Sequence, residues 1–198
     1  MNRHLLTDTP QGNAGPDEML EIIRGLGFVQ LDSINTVARA HDLILFTRKA
    51  RYMPTALKTL YEQDRGLFEH WTHDAAVIPM EFYPYWQLRR VRDAIKLQKQ
   101  WKNLRRDGFE AQLQGVLDQI REQGPLSSSD VGKDEKRGSG GWWDWHPSKT
   151  ALEYLWRTGA LSVVGREGFK KRYDLTERVL EKSLSDATNS LDVEATID

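Results

Sequence analysis

The sequence contains no cysteine, which removes disulfide scaffolds and thiolate chemistry from consideration and fits a reducing compartment. It also lacks any apolar run approaching the roughly 20 residues of a membrane-spanning helix. The opening MNRHLLTDTPQG has no apolar centre of the kind a secretory signal carries. A cytoplasmic location with no membrane partner is the default reading. An excess of charge of one sign is missing as well: 28 Lys and Arg stand against 29 Asp and Glu, a formal net charge of -1. The global balance therefore identifies no partner, and the placement of charge along the chain carries the information. What is present is a chain of 198 residues that is 39% hydrophobic, enough for one large domain or two small ones around a packed core.

The most informative stretch is GFVQLDSINTVARAHDLILFTR, residues 27–48. Its apolar start, residues 28–31, is interrupted by Gln30 and followed by Asp32. In an extended segment, side chains two apart share a face, so an amide and a carboxylate look into one space. Such a pair can hold and orient a water. The competing expectation is structural: Asp32 or Ser33 stands where an N-cap would for a helix beginning near Ile34. Arg39, His41 and Arg48 follow closely and are candidate contacts to a nucleic-acid backbone, with Asp42 and Glu69 as alternative ion-pair partners for the two arginines.

Around this stretch the chain reads as mainly helical. Pro16 opens a helix with apolar positions at Met19, Leu20, Ile22, Ile23 and Leu26, and Gly25 is expected to end it. Residues 43–46 read as buried, residues 54–61 as a helix starting at Pro54, and residues 67–71 as a strand. WTHDAAVIPMEFYPYW, residues 71–86, is dense in aromatics. His70, His73 and Asp74 lie near one another there, but zinc sites need three or four ligands at set spacing and no partner pair is evident. No metal and no cofactor are expected; His73 is a candidate substrate contact.

Residues 86–106 read as a helix bearing Arg89, Arg90, Arg92, Lys96, Lys99, Lys102, Arg105 and Arg106 against the single acid Asp93. Such a run is usually a solvated helix face, yet its one-sidedness also suits a polyanion. A second unit follows: a helix at 109–123 stopped by Gly124-Pro125, a short helix in LSSSDVG, a flexible insert GKDEKRGSGG, a helix over Pro147–Thr158 closed by Gly159, and two strands about the turn GREG. Helix, helix, helix, hairpin is the order of a winged helix-turn-helix, in which the last helix enters the major groove and the hairpin lies along the backbone. Lys149 and Arg157 would sit on that helix, and Arg166, Lys170, Lys171 and Arg172 on the hairpin. Winged helices also mediate protein contacts, and Trp142, Trp143 and Trp145 suit a core or an interface equally well. From Glu177 the chain turns acidic, and its last segment reads as a tail or linker.

Three pieces, LGFVQLDSINTVARAHDLILFTR, LFEHWTHDAAVIPME and KTALEYLWRTGALSVVGREGFKKRYDLTERV, resemble the bacterial winged-helix DNA glycosylases of the YcaQ/AlkZ type. These excise alkylated bases and unhook interstrand crosslinks. The family's Gln-apolar-Gln or Gln-apolar-Asp tripeptide stands here as Gln30-Leu31-Asp32, the second form, which resembles the branch broad toward alkylated purines and crosslinks. The resemblance implies tandem winged-helix domains, with residues 1–106 as the first unit carrying the tripeptide, 107–180 as the second and 181–198 as an acidic tail or linker. It further implies a monofunctional glycosylase acting on double-stranded DNA as a monomer, associated with the bacterial nucleoid, with Gln30 and Asp32 catalytic. Family members carry a third such domain and a β-barrel, so the sequence is expected to be a shortened form. A non-catalytic winged-helix regulator or an inactive remnant would share the same basic hairpin and helix order, but a regulator has no need of the tripeptide.

Overall fold

Proline and glycine punctuate the helices of the computed structural model, which describes residues 4–6, 14–104, 108–133, 135 and 146–180. The chain divides into two compact units, Met1–Phe82 and Tyr83–Asp198.

In the first unit, α1 (Pro16–Leu26) begins with proline and buries Met19, Ile22 and Ile23. It runs through Gly25 and is closed by Gly27, not by Gly25 as expected. Only Gly27 takes the positive φ, 85°, that lets its N–H return to the carbonyls of Ile23 and Arg24. The two-residue strand β1 (Val29–Gln30) follows, then α2 (Ala40–Phe46) and α3 (Pro54–Lys58). The helix starting at Pro54 passes into a π-turn, Thr59–Gln63, where the Asp64 N–H reaches the Thr59 carbonyl at 3.0 Å. Strands β2 (Leu67–Trp71) and β3 (Ala75–Pro79) form an antiparallel hairpin, and β1 pairs with β3, giving the order β1-β3-β2. Residues 43–46, read as buried, form the end of α2, and there only Leu45 is buried. Leu43 and Phe46 are about half exposed, because a helix turns successive residues through different faces.

The second unit contains α4 (Trp86–Leu104), the basic helix that the sequence reading placed in the N-terminal half. Its other elements are α5 (Phe109–Gln123), the short strand β4 (Leu126–Ser127), α6 (Pro147–Thr158), β5 (Leu161–Glu167), β6 (Lys170–Leu175) and α7 (Thr176–Val179). Its sheet has the order β4-β6-β5. Among the described residues both units contain a helix, then a two-residue strand, then one or more helices and a hairpin whose second strand takes the short strand as its other neighbour; the second unit has a further helix, α4, at its start. With two small antiparallel three-stranded sheets beside the helices, the chain is mixed α and β, and the expectation of a mainly helical chain with small hairpins holds only roughly.

LSSSDVG does not form the expected short helix. Leu126 and Ser127 pair with Tyr173 and Arg172, and Asp130 then accepts the Ser127 N–H at 2.8 Å and its hydroxyl at 2.7 Å, closing a turn. The hairpin is longer than the turn GREG suggested. A bulge at Val164 lets β5 run on to Glu167, and Gly168, at φ 60°, takes the turn. The core gathers Val116, Ile120, Leu152, Trp156 and Leu161, with Trp101, Phe109 and Tyr154 meeting edge-on or tilted at 5.3–6.2 Å. Gly159 ends α6 at φ 93° with the Arg90 side chain so near that a Cβ there would lie 2.6 Å from its Cδ. The insert tryptophans 142, 143 and 145, together with Arg105, Arg106 and the acidic tail, lie outside the described residues.

Candidate active site

β1 lies at the edge of its sheet, so one row of its backbone N–H and C=O groups has no neighbouring strand. Val29 and Leu31 are buried, at 2% and 8% exposure, while Gln30 between them is exposed and Asp32 beyond them is half-buried. Exposure thus alternates from Val29 to Asp32, as it does where successive side chains take opposite sides of an extended chain. Gln30 is opposite Ala76, which is fully buried.

The ladder ends when the Leu31 N–H donates to the Ala75 carbonyl at 2.8 Å. Asp32 then turns the chain. Its Oδ1 accepts the Ile34 N–H at 2.8 Å, a local bond that competes with continued pairing. No helix begins at Ile34; the next starts at Ala40 with Arg39 at its N-cap. Asp32 is thus a turn residue, not the helix cap weighed against the catalytic reading. Among the described residues its second carboxylate oxygen has no partner. The loop it opens exposes Ile34 (67%) and Val37 (92%), which the spacing had suggested for a helix.

The Asp32 N–H is held from α2: it donates to Nδ1 of His41 at 3.1 Å. His41 is buried, and its Nε2 faces Oδ2 of Asp42 at 4.0 Å. Asp42 in turn accepts the hydroxyl of the buried Tyr52 at 2.7 Å. Burial first, and then the Asp42 carboxylate, push the Tyr52 hydroxyl far above the ordinary tyrosine value. No spacing pattern could have disclosed Tyr52, because its link to Asp42 crosses between elements.

The remaining candidates in this unit are spread out. Arg39 is half-buried at the start of α2. Arg48 spends its guanidinium on the carbonyls of Ile44 (2.7 Å) and His4 (3.0 Å), and burial lowers its pKa. Asp42, proposed as an ion-pair partner of these arginines, is taken by Tyr52. His73 is exposed at the β2–β3 turn, whereas His70 is buried in β2. Among the described residues no group of three or more such side chains converges as a metal site would need.

In the second unit the basic positions divide sharply. Arg157, expected to face DNA from α6, is buried, and its Nε and Nη2 reach Oδ2 of Asp93 at 2.9 and 2.7 Å. Arg90 is also buried, its guanidinium 3.9 Å from the Tyr83 ring centroid, and burial lowers its pKa against the opposing pull of Tyr83. Arg92, Lys96 and Lys99 stay exposed on α4. On the hairpin, Arg166 donates to the Phe169 carbonyl and covers its ring, Lys171 lies over the Trp156 ring, and Arg172 joins the Pro125 carbonyl to Glu167. Lys170 is exposed and Lys149 half-buried in the first turn of α6.

No helix among the described residues is long and apolar enough to cross a membrane. No solved structure matches the chain. A family model described as DNA glycosylase AlkZ-like matches residues 23–196, a span that takes in β1, the Asp32 turn and nearly all of the second unit, and the chain therefore belongs to the AlkZ-like DNA glycosylase family.

Proposed function

We propose that this chain is a monofunctional DNA N-glycosylase that hydrolyses the bond between deoxyribose and an N7-alkylated purine, with Asp32 and Gln30 as its catalytic residues. The observation that carries this reading is the paired presentation of the two side chains. Gln30 ends the edge strand exposed, Asp32 follows it half-buried two residues on, and one oxygen of Asp32 is fixed by the Ile34 N–H while the other is left to act.

The chemistry needs little more. An N7-alkylated purine already bears positive charge and leaves readily, so the protein has to supply a water and stabilise a cationic sugar. Asp32 accepts a proton from the water and opposes the developing sugar charge; Gln30 donates to and accepts from the same water, holding it on the attacking side. No lysine is assigned as a nucleophile, so the product is an abasic site with the strand intact. An interstrand crosslink through N7 is open to the same cleavage.

Each unit is read as a winged helix-turn-helix, supported by the shared element order and by the matching sheet orders β1-β3-β2 and β4-β6-β5. In the second unit Lys149 and Lys170 are the best placed of the candidate cations to meet phosphates, and Arg92, Lys96 and Lys99 extend that capacity along α4. The chain acts as a monomer on chromosomal DNA in the cytoplasm.

The test is incubation of the intact chain with duplex DNA carrying N7-methylguanine. The expected result is release of the free base with strand breaks that develop only on heating in alkali. Breaks that form without alkali, or no base release, would contradict the proposal.

A further inference from the structure

We propose that His41 is a positioning residue for Asp32: its Nδ1 fixes the backbone at the point where the chain leaves the edge strand, and so aims the carboxylate. The inference rests on the catalytic reading of Asp32 but concerns a residue that has no contact role in it.

Leu31 makes the last strand bond, to Ala75, and the Asp32 N–H would next be without a partner. A backbone N–H at a partly buried position needs one. His41 supplies it at 3.1 Å from a buried ring. To accept there, the imidazole must be neutral with its proton on Nε2. That side faces Asp42 Oδ2 at 4.0 Å, and Asp42 is itself oriented by the Tyr52 hydroxyl at 2.7 Å. The order is thus Tyr52 to Asp42 to His41 to Asp32, running from buried side chains to the half-buried carboxylate. With Oδ1 tied to the Ile34 N–H, Asp32 is held at both its backbone and its side chain. Sites that act by orientation lose rate when a support moves, even where no contact to substrate is lost.

Three substitutions separate positioning from simple packing. His41→Asn places its amide oxygen near the position of Nδ1 and can accept the Asp32 N–H. His41→Gln carries its oxygen one bond further out and cannot. His41→Phe fills the space with no acceptor. Under single-turnover conditions with N7-methylguanine DNA, the Gln and Phe variants are expected to lose about ten- to a hundredfold in rate, the size of one hydrogen bond left unmade. DNA affinity should be unchanged, and the Asn variant should stay near the parental rate. Should Phe fail to fold, the contrast between Asn and Gln decides. Equal rates for Asn and Gln would overturn the proposal.

A second readout does not depend on activity: the Asp32 amide proton in the intact chain should be protected from exchange in the parent and in His41→Asn, and unprotected in His41→Gln. An unprotected amide in the parent would overturn the positioning role. A parent that releases no base, with the amide protected, would overturn the glycosylase reading and leave the hydrogen bond standing.

Discussion

Arg157 and Asp93 form a buried ion pair, with Nη2 and Oδ2 2.7 Å apart and both residues less than a tenth exposed. The pair ties α6 to α4 inside the second unit. It also takes Arg157 away from the DNA-facing role its place on α6 had suggested. Removing one partner leaves the other charged and buried, so Arg157→Met is expected to destabilise the chain by about 3–5 kcal/mol. Arg157→Met combined with Asp93→Leu should recover most of that loss. Chemical denaturation of the three variants measures it, and a single variant as stable as the parent would refute the assignment.

The hairpin cations should differ in kind. Lys170 is exposed, while Arg172 bridges the Pro125 carbonyl and Glu167 and Lys171 covers Trp156. Lys170→Ala is expected to reduce the slope of log affinity against log salt by about 0.9, the share of one phosphate contact. Arg172→Ala is expected to lower thermal stability with a smaller change in slope. Binding measured across a salt series distinguishes the two.

Tyr52 sets a limit at alkaline pH. Its folded-state pKa is raised above the ordinary value of 10.0 by burial and by Asp42. A raised folded pKa means that its contribution is complete below that ordinary value and is lost as pH rises above it toward the folded value. Stability should therefore fall above about pH 10 with a component that Tyr52→Phe lacks. At neutral pH the same variant should cost about 1–3 kcal/mol, through the lost hydrogen bond to Asp42.

Asp130 acts at the other end of the scale. The Ser127 hydroxyl, then its N–H, hold this carboxyl below its ordinary 3.8. A depressed folded pKa gives stability that is present above 3.8 and disappears as pH falls below it. Asp130→Asn should be less stable than the parent at neutral pH, and the gap should close in that acid range. A gap independent of pH would place the effect in packing alone.

The parts of the fold that could be read in the sequence are those with local chemical punctuation. α6 begins at Pro147 and ends at Gly159 because proline suits a first turn and glycine the left-handed conformation beyond the last. At α1 two glycines compete, and only the backbone shows that Gly27 rather than Gly25 turns the chain. β3 was missed for a different reason. AAVIP is buried on both faces, so it has no alternation to detect. At the site, the spacing of Gln30 and Asp32 left two expectations open, a shared face or a helix cap, and the Ile34 N–H on Asp32 removes the cap. The support by His41, Asp42 and Tyr52 could not be read there, since a hydrogen bond between separate elements leaves no periodic trace. Charge was a poor guide for a related reason: Arg157 meets Asp93, 64 residues earlier in the chain.

Under the proposed mechanism Asp32 performs the chemistry while contributing little to binding. Its most direct test is single-turnover release of N7-methylguanine from duplex DNA by the intact chain and by Asp32→Asn, with DNA affinity measured in parallel. The variant's rate is expected to be lower by about 100- to 10,000-fold, the usual worth of a general base, at nearly parental affinity. Release by Asp32→Asn at the parental rate would contradict it.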